Sequence, residues 1–299
     1  MPELHLLAGP NGSGKSTFAR QVHDGTRHID YNIPRVINPD VIAQKLRPDD
    51  PDAAATPAAR QALQERAEAL ANGESFSIET TLSGKSELRL VDDARAAGYR
   101  VTMTYVALES PEQNVRRVDR RAQEERRTVA ASDVRRRYAR SLDALRDIAE
   151  RIDKIYVFDN SGREFEHVAT LERGRAIAMA DRIPAWAERA LGPQLDLARD
   201  RAAVAEEARA LLRGPKASIF APVIRERSVA NETVLTGRVI AVGREHLAVA
   251  TSDRSFSLLE RTALDRSPSV GEEVRVMLRE GRGIVGSVNR DRDVPERDR

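Results

Sequence analysis

Residues Gly9-Pro10-Asn11-Gly12-Ser13-Gly14-Lys15-Ser16-Thr17 satisfy the pattern G-x-x-x-x-G-K-[ST] at every specified position. The apolar run Leu4-His5-Leu6-Leu7-Ala8 before them reads as a buried strand, and Phe18-Ala19-Arg20-Gln21-Val22 after them as the first turns of a helix. Strand, glycine loop and helix form the context in which a phosphate-binding loop works. Several backbone N–H groups must point inward around a polyphosphate, and glycines reach those backbone angles at little cost. A helix starting near Lys15 adds unpaired N–H groups and the positive end of its dipole. In this reading Lys15 meets the β- and γ-phosphates, the Ser16 hydroxyl takes Mg²⁺, and the ligand is ATP or GTP.

The rest of the chain alternates strands with helices, which predicts an α/β fold of the P-loop kinase kind, its parallel sheet covered by helices on both faces. Arg35-Val36-Ile37 reads as a second strand leading to Asn38-Pro39-Asp40. The proline keeps Asn38 extended, so Asp40 falls at a strand's carboxyl end, where open α/β sheets place ligands. From this segment alone, a plain helix N-cap is the better account of Asp40. Phe76-Ser77-Ile78 delivers Glu79-Thr80-Thr81 to the same edge, as ligands of a polar substrate or as caps of the next helix. That helix runs from Lys85 to Ala97 and stops at Gly98; Thr56-Pro57 opens the helix before it.

Tyr99 to Leu108 reads as a central strand and Ile155-Tyr156-Val157-Phe158 as a fifth, which ends in Asp159-Asn160-Ser161. Between them Ser110-Pro111-Glu112 opens a helix, and Ser132-Asp133 caps another. Together they carry Arg116, Arg117, Arg120, Arg121, Arg126, Arg127, Arg135, Arg136, Arg137 and Arg140. Most suit a solvated face paired with acidic neighbours, but phosphoryl transfer also needs cations over the moving phosphate.

Residues 165–177 suggest a hairpin turning at Arg173-Gly174; Pro184 to Gly192 and Pro193 to Gly214 read as two helices. From Leu235 short strands with turns at Gly243, Gly271 and Gly281 predict a small β-barrel-like domain. The expected division is 1–192, a helical linker 193–214, a β-rich domain 215–288 and a charged, disordered tail 289–299.

With 49 basic and 47 acidic residues, charge is too balanced to indicate nucleic-acid binding by bulk electrostatics. The absence of cysteine rules out disulfides and thiolate zinc sites. No apolar run approaches the ~20 residues of a membrane span, and the early first strand leaves no room for a signal peptide, so a cytoplasmic protein without a membrane partner is expected.

The loop Gly9 to Thr17, Asn38-Pro39-Asp40, Glu79-Thr80-Thr81-Leu82-Ser83-Gly84, Arg135 to Leu142 and Asp159-Asn160-Ser161, in that order, resemble the zeta toxin family. The resemblance covers roughly the first 190 residues. It implies a P-loop kinase that uses ATP and Mg²⁺ to phosphorylate the sugar 3′-hydroxyl of UDP-N-acetylglucosamine, which blocks cell-wall precursor synthesis, with a cognate antitoxin as candidate partner. Asp40 then matches the catalytic base, Lys15 the phosphate-binding lysine and Ser16 the metal-binding hydroxyl. Glu79 matches the substrate-orienting acid, with Asn38, Thr80 and Thr81 beside it. Arg121 and Arg137 fall near the phosphate-contacting arginines. One departure stands out: Glu125 to Ala130 replaces the family's Gly-Gly-His lid stretch, which puts Arg127 where the histidine would be, within reach of ATP. The C-terminal part resembles the KfrB-type β-domain of plasmid and conjugation proteins. A non-catalytic alternative is a nucleotide-gated assembly module in which ATP turnover only changes shape.

Overall fold

The computed structural model describes residues 1–84, 86–125, 129–213, 225–226 and 234–288, in two compact units, Met1–Leu195 and Asp196–Arg299. Arg127, the tail 289–299 and much of the stretch 214–233 lie outside the described residues.

The first unit holds strands β1 (Glu3–Ala8), β2 (Val36–Ile37), β3 (Phe76–Thr80), β4 (Arg100–Ala107), β5 (Lys154–Asp159), β6 (Glu166–Glu172) and β7 (Arg175–Met179). They form one sheet in the order β2-β3-β1-β4-β5-β6-β7. The first five strands are parallel, and the hairpin β6–β7 adds two antiparallel ones. Its turn at Arg173-Gly174 has positive φ at both residues, as a tight hairpin needs.

The helices are α1 (Lys15–His23), α2 (Pro39–Leu46), α3 (Ala55–Asn72), α4 (Ser86–Ala96), α5 (Pro111–Glu125), α6 (Ala131–Ile148) and α7 (Ala185–Arg213), the last running on into the second unit. Leu4, Leu6 and Ala8 of β1 pack with residues of α3, α4, α6 and the start of α7, whereas Leu7 packs with Phe18 of α1, Tyr156 and Phe158. Helices therefore cover both faces, and strands buried on both sides read as continuous apolar runs.

Three expected helix starts shift. Asn38, not Asp40, caps α2: its side chain accepts from Asp40 N at 2.9 Å, and Pro39 takes the first helical position. α3 starts at Ala55, ahead of Thr56, because the turn over Pro51–Asp52 already donates Ala54 N and Ala55 N to their carbonyls. α6 starts at Ala131, with Ala130 carbonyl accepting from Asp133 N and Val134 N. The expected break at Gly192-Pro193 is absent, since α7 passes through Pro193. A proline leaves the carbonyl four residues back without its donor, and here Arg146 donates its guanidinium to Arg189 O.

Beneath the sheet, fully buried His5 is flanked by the hydroxyls of Thr102 at 2.8 Å and Thr104 at 3.1 Å, and its ring stacks on Tyr31. Burial pulls its pKa down from 6.5 to about 3. The unfolded chain takes up this proton first, so its contribution to stability is complete above pH 6.5 and lost as pH falls towards 3. The expected slope is about 1.4 kcal/mol per pH unit from this group. Denaturant titrations between pH 7 and 4 should show a shallower decline for His5→Gln; equal slopes would mean that His5 does not titrate on unfolding.

The second unit holds β8 (Arg225–Glu226), β9 (Val234–Val242), β10 (His246–Ser252), β11 (Ser255–Glu260), β12 (Glu273–Arg279) and β13 (Arg282–Ser287) in the order β13-β12-β9-β10-β11-β8. Leu264, beyond β11, bridges in parallel to Gly283 of β13, which brings the sheet's edges together as a small barrel. The far half of α7 belongs to this unit. Val204, Ala205 and Ala208 pack on Ala241, Ala248 and Phe256, and Asp200 accepts from Arg244 N at 2.7 Å and lies 2.8 Å from His246 Nδ1. Burial pushes the Asp200 carboxyl up, but those hydrogen bonds, with one from Glu245 N and the His246 charge, together hold it below its usual range. Among the described residues no helix is long and apolar enough to cross a membrane.

Candidate active site

The order β3-β1-β4-β5 sets four carboxyl strand ends side by side, and a cleft of about 950 Å³ opens over them. The loop after β1 is held from three sides. Asn114 of α5, fully buried, donates to Asn11 O at 2.6 Å; Asn160, after β5, donates to Ser13 O at 2.8 Å. Arg117 of α5 in turn donates to Asn160 O at 2.7 Å. Gly14, the N-cap of α1, has φ 101°, and a Cβ there would lie 2.3 Å from Asn160 Nδ2. The loop is thus shaped for a ligand by residues distant in sequence. The Ser13 hydroxyl is buried without a partner among the described residues, and the N-terminus of α1 has no side-chain cap, so both have donors to offer. A phosphate group fits there on both counts.

Lys15 is folded back, its Nζ donating to Gly9 O at 2.8 Å and Pro10 O at 3.1 Å. Burial lowers its pKa to about 8; Glu79 opposes the fall and Arg121 adds to it, so both groups lie within its field. Ser16 Oγ donates to Glu79 Oε1 at 2.8 Å, and Asn38 Nδ2 to Glu79 Oε2 at 3.2 Å. One carboxylate at the end of β3 thus ties the loop serine to the cap of α2. One residue beyond Pro39, exposed Asp40 lines the cleft from the first turn of α2.

Thr80 and Thr81 also line it, but their hydroxyls serve the turn into α4. Thr80 donates to Glu87 at 2.7 Å and accepts from Leu82 N, and Thr81 pairs with Ser83. The capping role anticipated for this pair takes another form: Thr80 reaches the first turn of α4 through the Glu87 side chain, and its oxygen accepts from Leu82 N rather than from an N–H of the helix. Of the two arginines singled out by the resemblance, Arg121 lines the cleft and Arg137, on α6, does not.

The sequence assigned most of this arginine set to a solvated face without singling out Arg117 or Arg120, and both line the cleft with Arg121. The spacing of Arg117 and Arg121 with Asn114 was the available signal, since 114, 117 and 121 share a helix face. Arg20, Arg27, Arg163 and Phe165 complete the rim. Arg27 stacks between Phe18 and Phe165, 5.4 and 4.9 Å from their ring centres. Against Asp40, Glu79 and Glu164, the cleft presents Lys15 and six arginines, a field that favours polyanions.

The family model described as zeta toxin matches residues 1–167, more than half of the chain and every strand end that builds this cleft. The chain belongs to the zeta toxin family. A protein of Haemophilus influenzae, itself uncharacterized, is 31% identical over 133 residues, which are 44% of this chain and 90% of that protein. Among solved structures, one from the PezAT chromosomal toxin–antitoxin system of Streptococcus pneumoniae is 18% identical with a TM-score of 0.42, over 57% of this chain and 71% of that one. Another, AvrRxo1-ORF1:-ORF2 with ATP, is 16% identical with a TM-score of 0.45, over 65% of this chain and 64% of that one. As a zeta toxin family member the chain is a P-loop kinase, a phosphotransferase that uses ATP.

Proposed function

We propose that this zeta toxin family chain transfers the γ-phosphoryl group of ATP to the 3′-hydroxyl of UDP-N-acetylglucosamine. The observation that carries the reading is the convergence in one cleft of the loop lysine and serine, the Glu79 carboxylate that bridges Ser16 and Asn38, and Asp40. The acceptor oxygen attacks the γ-phosphorus, its proton passes to Asp40, and the bond to the bridging oxygen breaks to release ADP. Lys15 exchanges the carbonyls of Gly9 and Pro10 for phosphate oxygens; Arg117, Arg120 and Arg121 neutralise charge that moves towards the leaving group. Glu79, with Asn38 beside it, holds the acceptor. Ser16 is the residue to hold Mg²⁺, which when bound neutralises phosphate charge. A sugar nucleotide is itself a diphosphate, in keeping with the arginine-rich rim. A cytoplasmic setting supplies both substrates, and an antitoxin that covers the cleft is the proposed protein partner.

Incubation with γ-labelled ATP and UDP-N-acetylglucosamine should give a labelled sugar nucleotide. Release of labelled phosphate with no labelled acceptor would overturn the reading and leave the nucleotide-gated assembly module in its place.

A further inference from the structure

We propose that the outer face of β9, β12 and β13 in the second unit binds single-stranded nucleic acid. The pairing order runs β9, β10, β11, then across the parallel Leu264–Gly283 bridge to β13, β12 and back to β9. That is the topology of the five-stranded barrel that recurs as an oligonucleotide and oligosaccharide binder, where the second and third strands and the loop between the fourth and fifth meet the ligand. Here the far half of α7 covers the outer side of β10 and β11. The fourth-to-fifth loop remains, Glu280-Gly281 between Arg279 and Arg282.

Three observations converge on that loop and the strands beside it. Val234, Met277 and Ile284 stand in register across the three strands and are 49%, 47% and 58% exposed, an apolar row open to solvent. Arginines flank this row on both sides, Arg279 opposite Arg282 at one edge and Arg275 opposite Gly286 at the other. Among the described residues no carboxylate pairs with any of the three, although neighbouring Arg238 pairs with Glu273 and Arg266 with Glu272. Like charges directly opposite each other oppose strand pairing, and phosphates relieve that. Gly286 leaves the floor beside Arg275 flat, with space where a Cβ would stand. Bases lie on the apolar row while the arginines, two rows or about 14 Å apart along the strand, take phosphates on either side. Charge complementarity selects the occupant: a polyanion with flat apolar faces.

The full chain should bind fluorescein-labelled single-stranded RNA or DNA of about 16 nucleotides in an anisotropy titration, with affinity falling as salt rises. The triple variant Arg275→Gln, Arg279→Gln, Arg282→Gln should lose at least tenfold and lower the log–log salt slope by about 2, at ~0.7 per phosphate contact. Met277→Ser should weaken binding at an unchanged slope, and circular dichroism should match wild type for both variants. Either strand type supports the proposal, and the tighter one names the ligand. Binding undiminished in the triple variant overturns it, as does competition by ATP, which would place the oligonucleotide in the kinase cleft. Binding of polyglutamate without oligonucleotide also overturns it, in favour of an acidic protein partner.

Discussion

Asp40→Asn is expected to lower kcat by about 10²- to 10⁴-fold while ATP affinity stays near that of the wild type. The substitution keeps size and shape and removes the proton acceptor. The backbone at this position is fixed independently of the side chain, because Asp40 N donates to Asn38 Oδ1 and Pro39 pre-sets the helical angle before it. Loss of a negative charge in the first turn of α2 costs only about 0.3–1 kcal/mol in the helix dipole. Neither the loop carbonyls that hold Lys15 nor the Ser16–Glu79 hydrogen bond involves Asp40. Steady-state kinetics paired with calorimetric titration of a non-hydrolysable ATP analogue separates the two effects. Unchanged kcat would remove Asp40 from the chemistry, and a collapse of nucleotide affinity would give it a structural role instead.

The parts of this site that could be read from sequence are those whose requirements are local. A phosphate loop must contain its glycines, lysine and serine within nine residues. Pro39 holds Asn38 extended by backbone sterics alone, which places Asp40 at a strand end, although the cap itself is Asn38 and not Asp40. What could not be read depends on packing. Asn114 and Asn160 lie 103 and 147 residues from the loop carbonyls they hold, and nothing in their own neighbourhoods sets them apart. The arginines of α5 and α6 are equally dense in sequence, and only the docking of α5 against the loop decides that Arg117 faces the cleft and Arg137 does not. The same holds for Pro193. Its effect on α7 depends on whether a distant donor reaches Arg189 O, and Arg146 does. Balanced total charge likewise conceals Arg275, Arg279 and Arg282, which strand register gathers on one face of the second unit.

Gly9→Ala is expected to cost the fold more than about 3 kcal/mol, where the same change at Gly73 costs about 1–2 kcal/mol. Both glycines have positive φ, 139° at Gly9 and 66° at Gly73, but their surroundings differ. Gly73 ends α3 in the left-handed region with nothing within 4 Å of a new Cβ, so its substitution bears only the conformational penalty. At Gly9 a Cβ would stand 2.0 Å from Val106 O, a backbone atom of fully buried Val106 in β4, and no rotamer change relieves that contact. Either β1 and β4 separate at their carboxyl ends or the loop leaves its place. Both responses disturb Gly9 O and Pro10 O, the two carbonyls that hold Lys15. Stability and nucleotide binding should therefore fall together in Gly9→Ala and stay uncoupled in Gly73→Ala. Urea midpoints and ATP-analogue titrations on both variants test this. Equal destabilisation at the two sites would show that the β1–β4 junction yields without strain, and that the loop owes its shape to Asn114 and Asn160 alone.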